Sequence, residues 1–358
     1  MINFDFASLR LIGLNPASAN QLHLLASQFP DAATLQIGRI TEIHRNRLVL
    51  DDGQNVFSAQ LLPLLSRQLE QQDHNVAVGD WGLWRGSADQ GYYLIALMPA
   101  LNRLVRRQSA SELQVLASNI DSALLVMGLD HDFNLQRLER YLALVSDASV
   151  TPLVLLTKAD LCDDVDTKLA MVQQRLPAEI PVFAINGKST AVSDLLSPWL
   201  GAGQTLILLG SSGAGKSTLS NTLTQSQQKT GSVRLHDSRG HHTTTARSLH
   251  RCPDGACIID SPGLRGLQLN LSASALNAGF ADIDNLAQDC QFRDCRHLNE
   301  PGCAVRAGVD HARLKNYQKL QRESQRLESS PLDKIAKRAK WKVLVRSLKQ
   351  KQKSRDTF

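Results

Sequence analysis

The sequence predicts a multidomain chain: a small β-barrel, an α/β domain built on a mostly parallel sheet, and a short metal-binding helical module. Three observations carry that prediction. Residues 35–100 hold short apolar runs broken by turn signals, and residues 116–272 alternate near-continuous apolar runs with helical periods. Near the C-terminus, three cysteines and a histidine crowd into fourteen residues. A chain of 358 residues has room for two or three such units.

Residues 1–34 form an N-terminal segment in which 18–29 should be a short helix, with Leu22, Leu24 and Leu25 available to pack. Within residues 35–100, β-type runs fall at 35–40, 47–50, 76–78 and 92–97, separated by turns at Asp51-Asp52-Gly53 and Gly79-Asp80. So many short strands suit a small barrel, OB-fold-like or SH3-like, and pattern alone does not separate the two. Residues 101–115 read as a linker carrying Arg103, Arg106 and Arg107. In residues 116–272, strands are expected at 122–127, 153–156, 182–185, 205–209 and 256–259. Helices are expected at 134–146, 164–176, 193–200 and 216–224. Strand-helix alternation with apolar strands argues a parallel sheet covered on both faces. A module at 273–330 and a basic tail at 331–358 complete the chain.

Composition narrows the function classes. No apolar run approaches the ~20 residues needed to span a bilayer, and the N-terminus lacks the basic start and apolar stretch of a signal peptide, so the cytoplasm is the expected compartment and no membrane partner is expected. The net charge of +6 is uneven. Residues 311–358 hold 15 Lys/Arg and 4 Asp/Glu, whereas the rest of the chain holds 25 and 30. A basic block on a slightly acidic body points to a polyanionic partner, RNA rather than DNA.

The chemistry begins at Gly210-Ser211-Ser212-Gly213-Ala214-Gly215-Lys216-Ser217-Thr218, which follows an expected strand and opens an expected helix. Its glycines let backbone N–H groups close around phosphate oxygens, and the helix N-terminus adds a favourable dipole. Lys216 should reach the β- and γ-phosphates, and Ser217 should place its hydroxyl on Mg²⁺. Such a loop does not by itself choose between ATP and GTP. Thr157-Lys158-Ala159-Asp160 also follows a buried strand, and an aspartate there can accept from guanine N1–H and the 2-amino group, donors that adenine lacks. Thr157 stands where asparagine is commoner, which is expected to weaken the tether between this loop and the phosphate loop. Asn186-Gly187 lies where a third base contact would sit, and a plain turn explains it equally well.

Asp260-Ser261-Pro262-Gly263 ends a buried strand 44 positions past Lys216, which suits Asp260 to Mg²⁺ through water and the Gly263 N–H to the γ-phosphate. One threonine of Thr243-Thr244-Thr245 should complete the Mg²⁺ shell, with Thr244 the candidate. Leu264 cannot orient water as a glutamine would, so intrinsic turnover should be slow, on the order of 10⁻⁴ to 10⁻² s⁻¹. His242 is the nearest polar candidate for that catalytic role. Farther on, Cys290, Cys295, His297 and Cys303 supply three thiolates and an imidazole, the ligand set of a closed structural Zn²⁺ site.

The order of these motifs is unusual, because the base-reading loop precedes the phosphate loop. A β-barrel, a domain with its nucleotide motifs in permuted order, and then Cys-x₄-Cys-x-His-x₅-Cys together resemble the ribosome-small-subunit-dependent GTPase A family. Asn134-Leu135-Gln136-Arg137-Leu138-Glu139-Arg140-Tyr141, His242-Thr243-Thr244-Thr245 and Glu300-Pro301-Gly302-Cys303-Ala304-Val305 are similar too, and the resemblance covers roughly 35–320. It implies an OB-fold-like β-barrel, a circularly permuted α/β P-loop GTPase domain and a C-terminal zinc-binding helical module holding one structural Zn²⁺. It also implies a monomeric late-stage assembly factor for the 30S subunit and its 16S rRNA, with GTP/GDP and Mg²⁺ as cofactors, hydrolysis stimulated by the subunit, and a catalytic role for His242. The alternative is an RNA-binding module in which GTP is mainly a conformational ligand. The basic N-terminal arm of some members is absent here, and the lysine-rich C-terminus is the candidate to replace its RNA contacts.

Overall fold

The computed structural model describes residues 4–45, 47–72, 74–107, 113–225, 247–261, 276 and 279–328. Five strands form the barrel. β1 (Gln36–His44) pairs antiparallel with β2 (Arg47–Asp51) and with β4 (Trp81–Ser87), and β2 pairs with β3 (Val56–Leu61). β5 (Gly91–Leu97) lies parallel to β3 and antiparallel to β4, so the ring β1-β2-β3-β5-β4 closes. Helix Pro63–Gln71 occupies the crossing from β3 to β4. That connectivity is the five-stranded Greek-key barrel of an OB-fold and separates it from the SH3-like option. Ile40, Leu50, Ala59, Leu65, Trp84 and Leu94 fill the interior.

One local expectation fails in the barrel, and the stretch just after it also carries strands. Residues 76–78 are not a strand; they lead into a turn held by Asp80, whose carboxylate accepts from the Ala77 N–H at 2.8 Å. The strand is β4, whose Gly82 and Gly86 disguise it. At Gly82 a Cβ would come within 2.5 Å of the Ala96 carbonyl, so the tight barrel wall excludes a better strand former. Residues 101–115, expected as a linker, hold β6 (Arg103–Arg107) and the start of β7 (Leu113–Ser118), which pair antiparallel. Leu104 of β6 and Leu116 and Ala117 of β7 are fully buried.

The α/β sheet contains β8 (Ser122–Gly128), β9 (Thr151–Thr157), β10 (Val182–Ala184), β11 (Thr205–Leu209), β12 (Ser248–Arg251) and β13 (Cys257–Asp260). Its spatial order is β10-β9-β8-β11-β13-β12, parallel throughout except β12. β11, which leads into Gly210, sits inside the sheet yet comes fourth along the chain, the mark of a permuted order. Helix Leu135–Asp147 shows why one face is covered: Leu138, Tyr141, Leu142 and Val145 recur at helical spacing and are buried, and Asn134 caps the helix by accepting from the Arg137 N–H at 2.9 Å.

The barrel and the α/β sheet are continuous through Glu42 of β1 opposite Ser248 of β12. A fully buried arginine, Arg39, ties them further. It donates to the carbonyls of Ile12 (2.6 Å), Gly79 (3.2 Å) and Asn119 (3.0 Å) and to Thr205 Oγ1 (2.8 Å), and it lies over the Trp81 ring. Distributing the charge over carbonyls satisfies a guanidinium that burial would otherwise penalise.

Beyond the sheet, helix His311–Glu328 packs against helix Leu135–Asp147. Glu139, buried on the latter, accepts from Arg313 at 2.7 Å, Arg175 at 3.2 Å and Asn316 at 2.5 Å. Arg313 also grips Asp282 with two nitrogens, at 2.8 and 2.6 Å, and stacks over Phe280. Among the described residues, no helix is long and apolar enough to cross a membrane.

Candidate nucleotide site and metal centre

Parallel strands leave a row of loops at their C-terminal edge, and Thr157 to Asp160, Gly210 to Ser217 and Asp260 lie at that edge. Gly210 follows β11, where a Cβ would come within 2.4 Å of the Val126 carbonyl on β8, so only glycine permits this close passage. Ser211, Ser212 and Gly213 make the turn, and Ala214 is buried. Gly215, at φ +97°, is the N-cap of helix Lys216–Thr224 and contributes no side-chain cap. The first N–H groups of that helix, from Lys216, Ser217 and Thr218, therefore face an anion's position without a competing side-chain acceptor at the cap.

Lys216 is buried and donates to the carbonyls of Gly210 (3.0 Å) and Ser211 (2.8 Å), folded back on its own loop. Burial holds its ammonium down to about 8, with Asp260 and Asp132 pulling it partly back. Asp260 ends β13, and burial raises its pKa against the opposing pull of Lys216 and His250. Its Oδ2 is buried without a hydrogen-bond partner among the described residues. An orphaned carboxylate oxygen beside a phosphate loop is what a hydrated divalent cation would satisfy.

The base-loop candidate lies one strand beyond β8. Thr157 closes β9, and its hydroxyl donates to the Ala214 carbonyl at 2.6 Å, joining this loop directly to the phosphate loop. The expected weakening of the tether is thus met by a short bond from a buried side chain. Lys158 takes a left-handed backbone, φ +62°, and its ammonium donates to Asp130 at 2.7 Å. Ala159 donates its N–H to the Ile185 carbonyl at 3.2 Å, and Asp160 is exposed in the following turn. Asn186 accepts from the Lys188 N–H at 3.0 Å, a turn-forming bond, while Thr222 on the phosphate-loop helix donates to the Gly187 carbonyl at 2.8 Å. His242, Thr244 and Gly263 lie outside the described residues, as do Leu264 and the tail from 331.

Sequence reasoning missed Asp130 and Asp132, which follow β8 and touch both motif loops. Their signal was available: two carboxylates directly past an apolar strand, at the edge where such sheets bind ligands.

The cysteine cluster assembles as spaced. Cys290 Sγ lies 3.6 Å from His297 Nδ1 and 3.9 Å from Cys303 Sγ, and His297 Nδ1 lies 3.4 Å from Cys303 Sγ. The four ligand atoms, Cys295 included, fall within 4.8 Å of one another. A tetrahedron with Zn–S bonds of ~2.3 Å has edges of ~3.8 Å, so the donor set fits one zinc ion. Local backbone supports it: His297 sits at φ +56°, Gln318 donates to its carbonyl at 2.9 Å, and Cys303 caps helix Ala304–Gly308.

The family described as RsgA GTPase matches residues 97–270. A small ribosomal subunit biogenesis GTPase RsgA of Xanthomonas axonopodis pv. citri (strain 306) is 40% identical over 347 residues, covering 93% of this chain and 92% of its own length. One of Xanthomonas euvesicatoria pv. vesicatoria (strain 85-10) is 43% identical over 310 residues, covering 84% and 83%. Among solved structures, YjeQ from Thermotoga maritima matches with a TM-score of 0.60 at 20% identity, covering 81% of this chain and 99% of its own. YloQ, described as a circularly permuted GTPase, matches at 0.58 and 21% identity, covering 83% and 98%. At those identities the structural likeness speaks for the fold.

Proposed function

The chain belongs to the RsgA GTPase family, and from that premise we propose that it hydrolyses GTP as an assembly factor for the small ribosomal subunit. The observation that carries the site assignment is the Thr157–Ala214 hydrogen bond, which holds the base loop and the phosphate loop together across 57 positions of sequence. Asp160 then reads the guanine edge, and the Lys158 stem covers the base. Backbone N–H groups from Gly213 to Thr218 surround the phosphates, and Lys216 exchanges its two carbonyls for phosphate oxygens. Ser217 and Asp260 are the described residues suited to hold Mg²⁺, with Thr244 and Gly263 assigned from sequence to complete the γ-phosphate side. When bound, the ion neutralises charge that builds on the β- and γ-oxygens.

His242 is proposed to orient the attacking water, since Leu264 cannot. Turnover by the free protein is accordingly slow and rises on the small subunit, where the 16S rRNA is the proposed contact. Zinc is proposed as structural, because four protein ligands leave no open position for water. The deciding experiment is GTP hydrolysis with purified 30S subunits, with 50S subunits and with neither, beside a zinc determination. Stimulation by 30S alone is expected; equal rates in all three arms would overturn the assembly reading.

A further inference from the structure

Loop 129–133, between β8 and helix Leu135–Asp147, stands between the two motif loops and reaches both. Asp132 accepts from Ser211 Oγ at 2.5 Å on the phosphate-loop side and from the Gly128 N–H at 3.2 Å. Arg137 donates to the same carboxylate at 2.5 Å and balances its charge. Asp130 faces the other way, accepting from Lys158 Nζ at 2.7 Å, which holds its carboxyl below the usual range despite partial burial. The two are linked, since Asp130 Oδ1 also accepts from the Asp132 N–H at 3.1 Å. Lys168 clamps the loop from outside by donating to the Leu129 carbonyl at 2.7 Å.

We propose that Asp130 and Asp132 are positioning residues of the nucleotide site, Asp130 acting through Lys158 on the base and Asp132 acting through Ser211 on the phosphate loop. The inference rests on the site assignment above. Its physical reason is reach. Lys158 is a long, strongly hydrated cation with several rotamers, and a carboxylate 2.7 Å from its ammonium stretches the stem across one path. A stem held in advance covers a base without the ordering cost of finding that geometry on binding. Ser211 sits at the start of the phosphate loop, so fixing its hydroxyl limits the conformations that the loop's N–H groups can sample. Neither carboxylate touches the phosphates in this scheme. Their contribution is made before the ligand arrives.

The test is a pair of double-mutant cycles on the full-length protein, Asp130→Ala with Lys158→Ala and Asp132→Ala with Ser211→Ala, reading GDP affinity and steady-state GTP hydrolysis. Each carboxylate variant should raise KM about tenfold with kcat changed less than twofold, the split expected when an interaction is shared by ground and transition states. Each double variant should be no weaker than its weaker single, and Asp130→Glu should recover most of the loss. Thermal melting of the nucleotide-free variants separates folding damage from positioning. Additive losses, or lowered melting with unchanged nucleotide affinity, would overturn the inference and leave the site assignment standing. A wild-type protein that binds no guanine nucleotide would instead sink the site assignment, and this inference with it.

Discussion

Replacing Thr157 with valine tests the joint on which the nucleotide site depends. The substitution keeps the branched shape and removes one hydroxyl, whose bond to the Ala214 carbonyl is 2.6 Å long. A neutral hydrogen bond contributes about 1 kcal/mol net, and a buried acceptor left without its partner costs about 1–3 kcal/mol. Thr157 is almost wholly buried, at 2% exposure, so water does not readily replace the lost donor. Part of the loss falls on the free protein as lower stability. The remainder appears when a ligand must span two loops that are no longer tied. GDP affinity should therefore fall more than about twofold, with a ceiling of about 150-fold if the whole of the upper cost appeared in binding. Thr157→Ser keeps the hydroxyl and should stay within about threefold of wild type. Titration calorimetry with GDP, at matched folded fraction from thermal melts, is the assay. If Thr157→Val binds GDP within twofold of wild type, the bond does not organise the site and the reasoning fails.

Three further outcomes are expected. The Lys216 ammonium is depressed to about 8 by burial, so the free protein loses that proton above this pH and regains it on binding a phosphate anion. GDP affinity should be flat below about pH 7 and weaken toward tenfold per pH unit above about pH 9, with calorimetry in two buffers showing proton uptake; a flat profile from pH 7 to 9.5 would refute the linkage. Cys303→Ser removes a proposed zinc thiolate while keeping a side-chain cap for helix Ala304–Gly308, so metal analysis should fall from one zinc per chain to well below one, with new protease cleavage in 279–310; unchanged zinc content would refute the ligand assignment. Arg313→Met leaves the Glu139 carboxylate with Asn316 and Arg175 only, which should cost about 3 kcal/mol in urea unfolding, partly recovered by adding Glu139→Leu.

Legibility followed the range of the forces involved. The candidate phosphate loop was readable because its residues run consecutively and Gly215 answers a local demand, φ +97° at the start of a helix. The candidate metal ligands were readable because four donors within fourteen residues can meet around one ion without help from distant chain. The barrel was harder. β4 carries two glycines that lower its apparent strand preference, and the reason for one of them, the Ala96 carbonyl, lies on another strand. The antiparallel pair β6–β7 resembled a linker because its arginines are prominent in sequence while the burial of Leu104 and Leu116 is visible only in three dimensions.

What the chain's order of residues determined by itself was the set of candidate parts: a proposed phosphate loop, a proposed base loop placed before it, a strand-ending aspartate and four potential metal donors. Each is specified by spacing over a few residues, where covalent geometry limits the outcomes. Tertiary structure alone decided how the parts are joined. Thr157 meets Ala214, Arg39 meets Thr205 and Arg313 meets Glu139 across 57, 166 and 174 positions. Such contacts depend on strand register and helix packing, which the whole core sets together and no local spacing encodes.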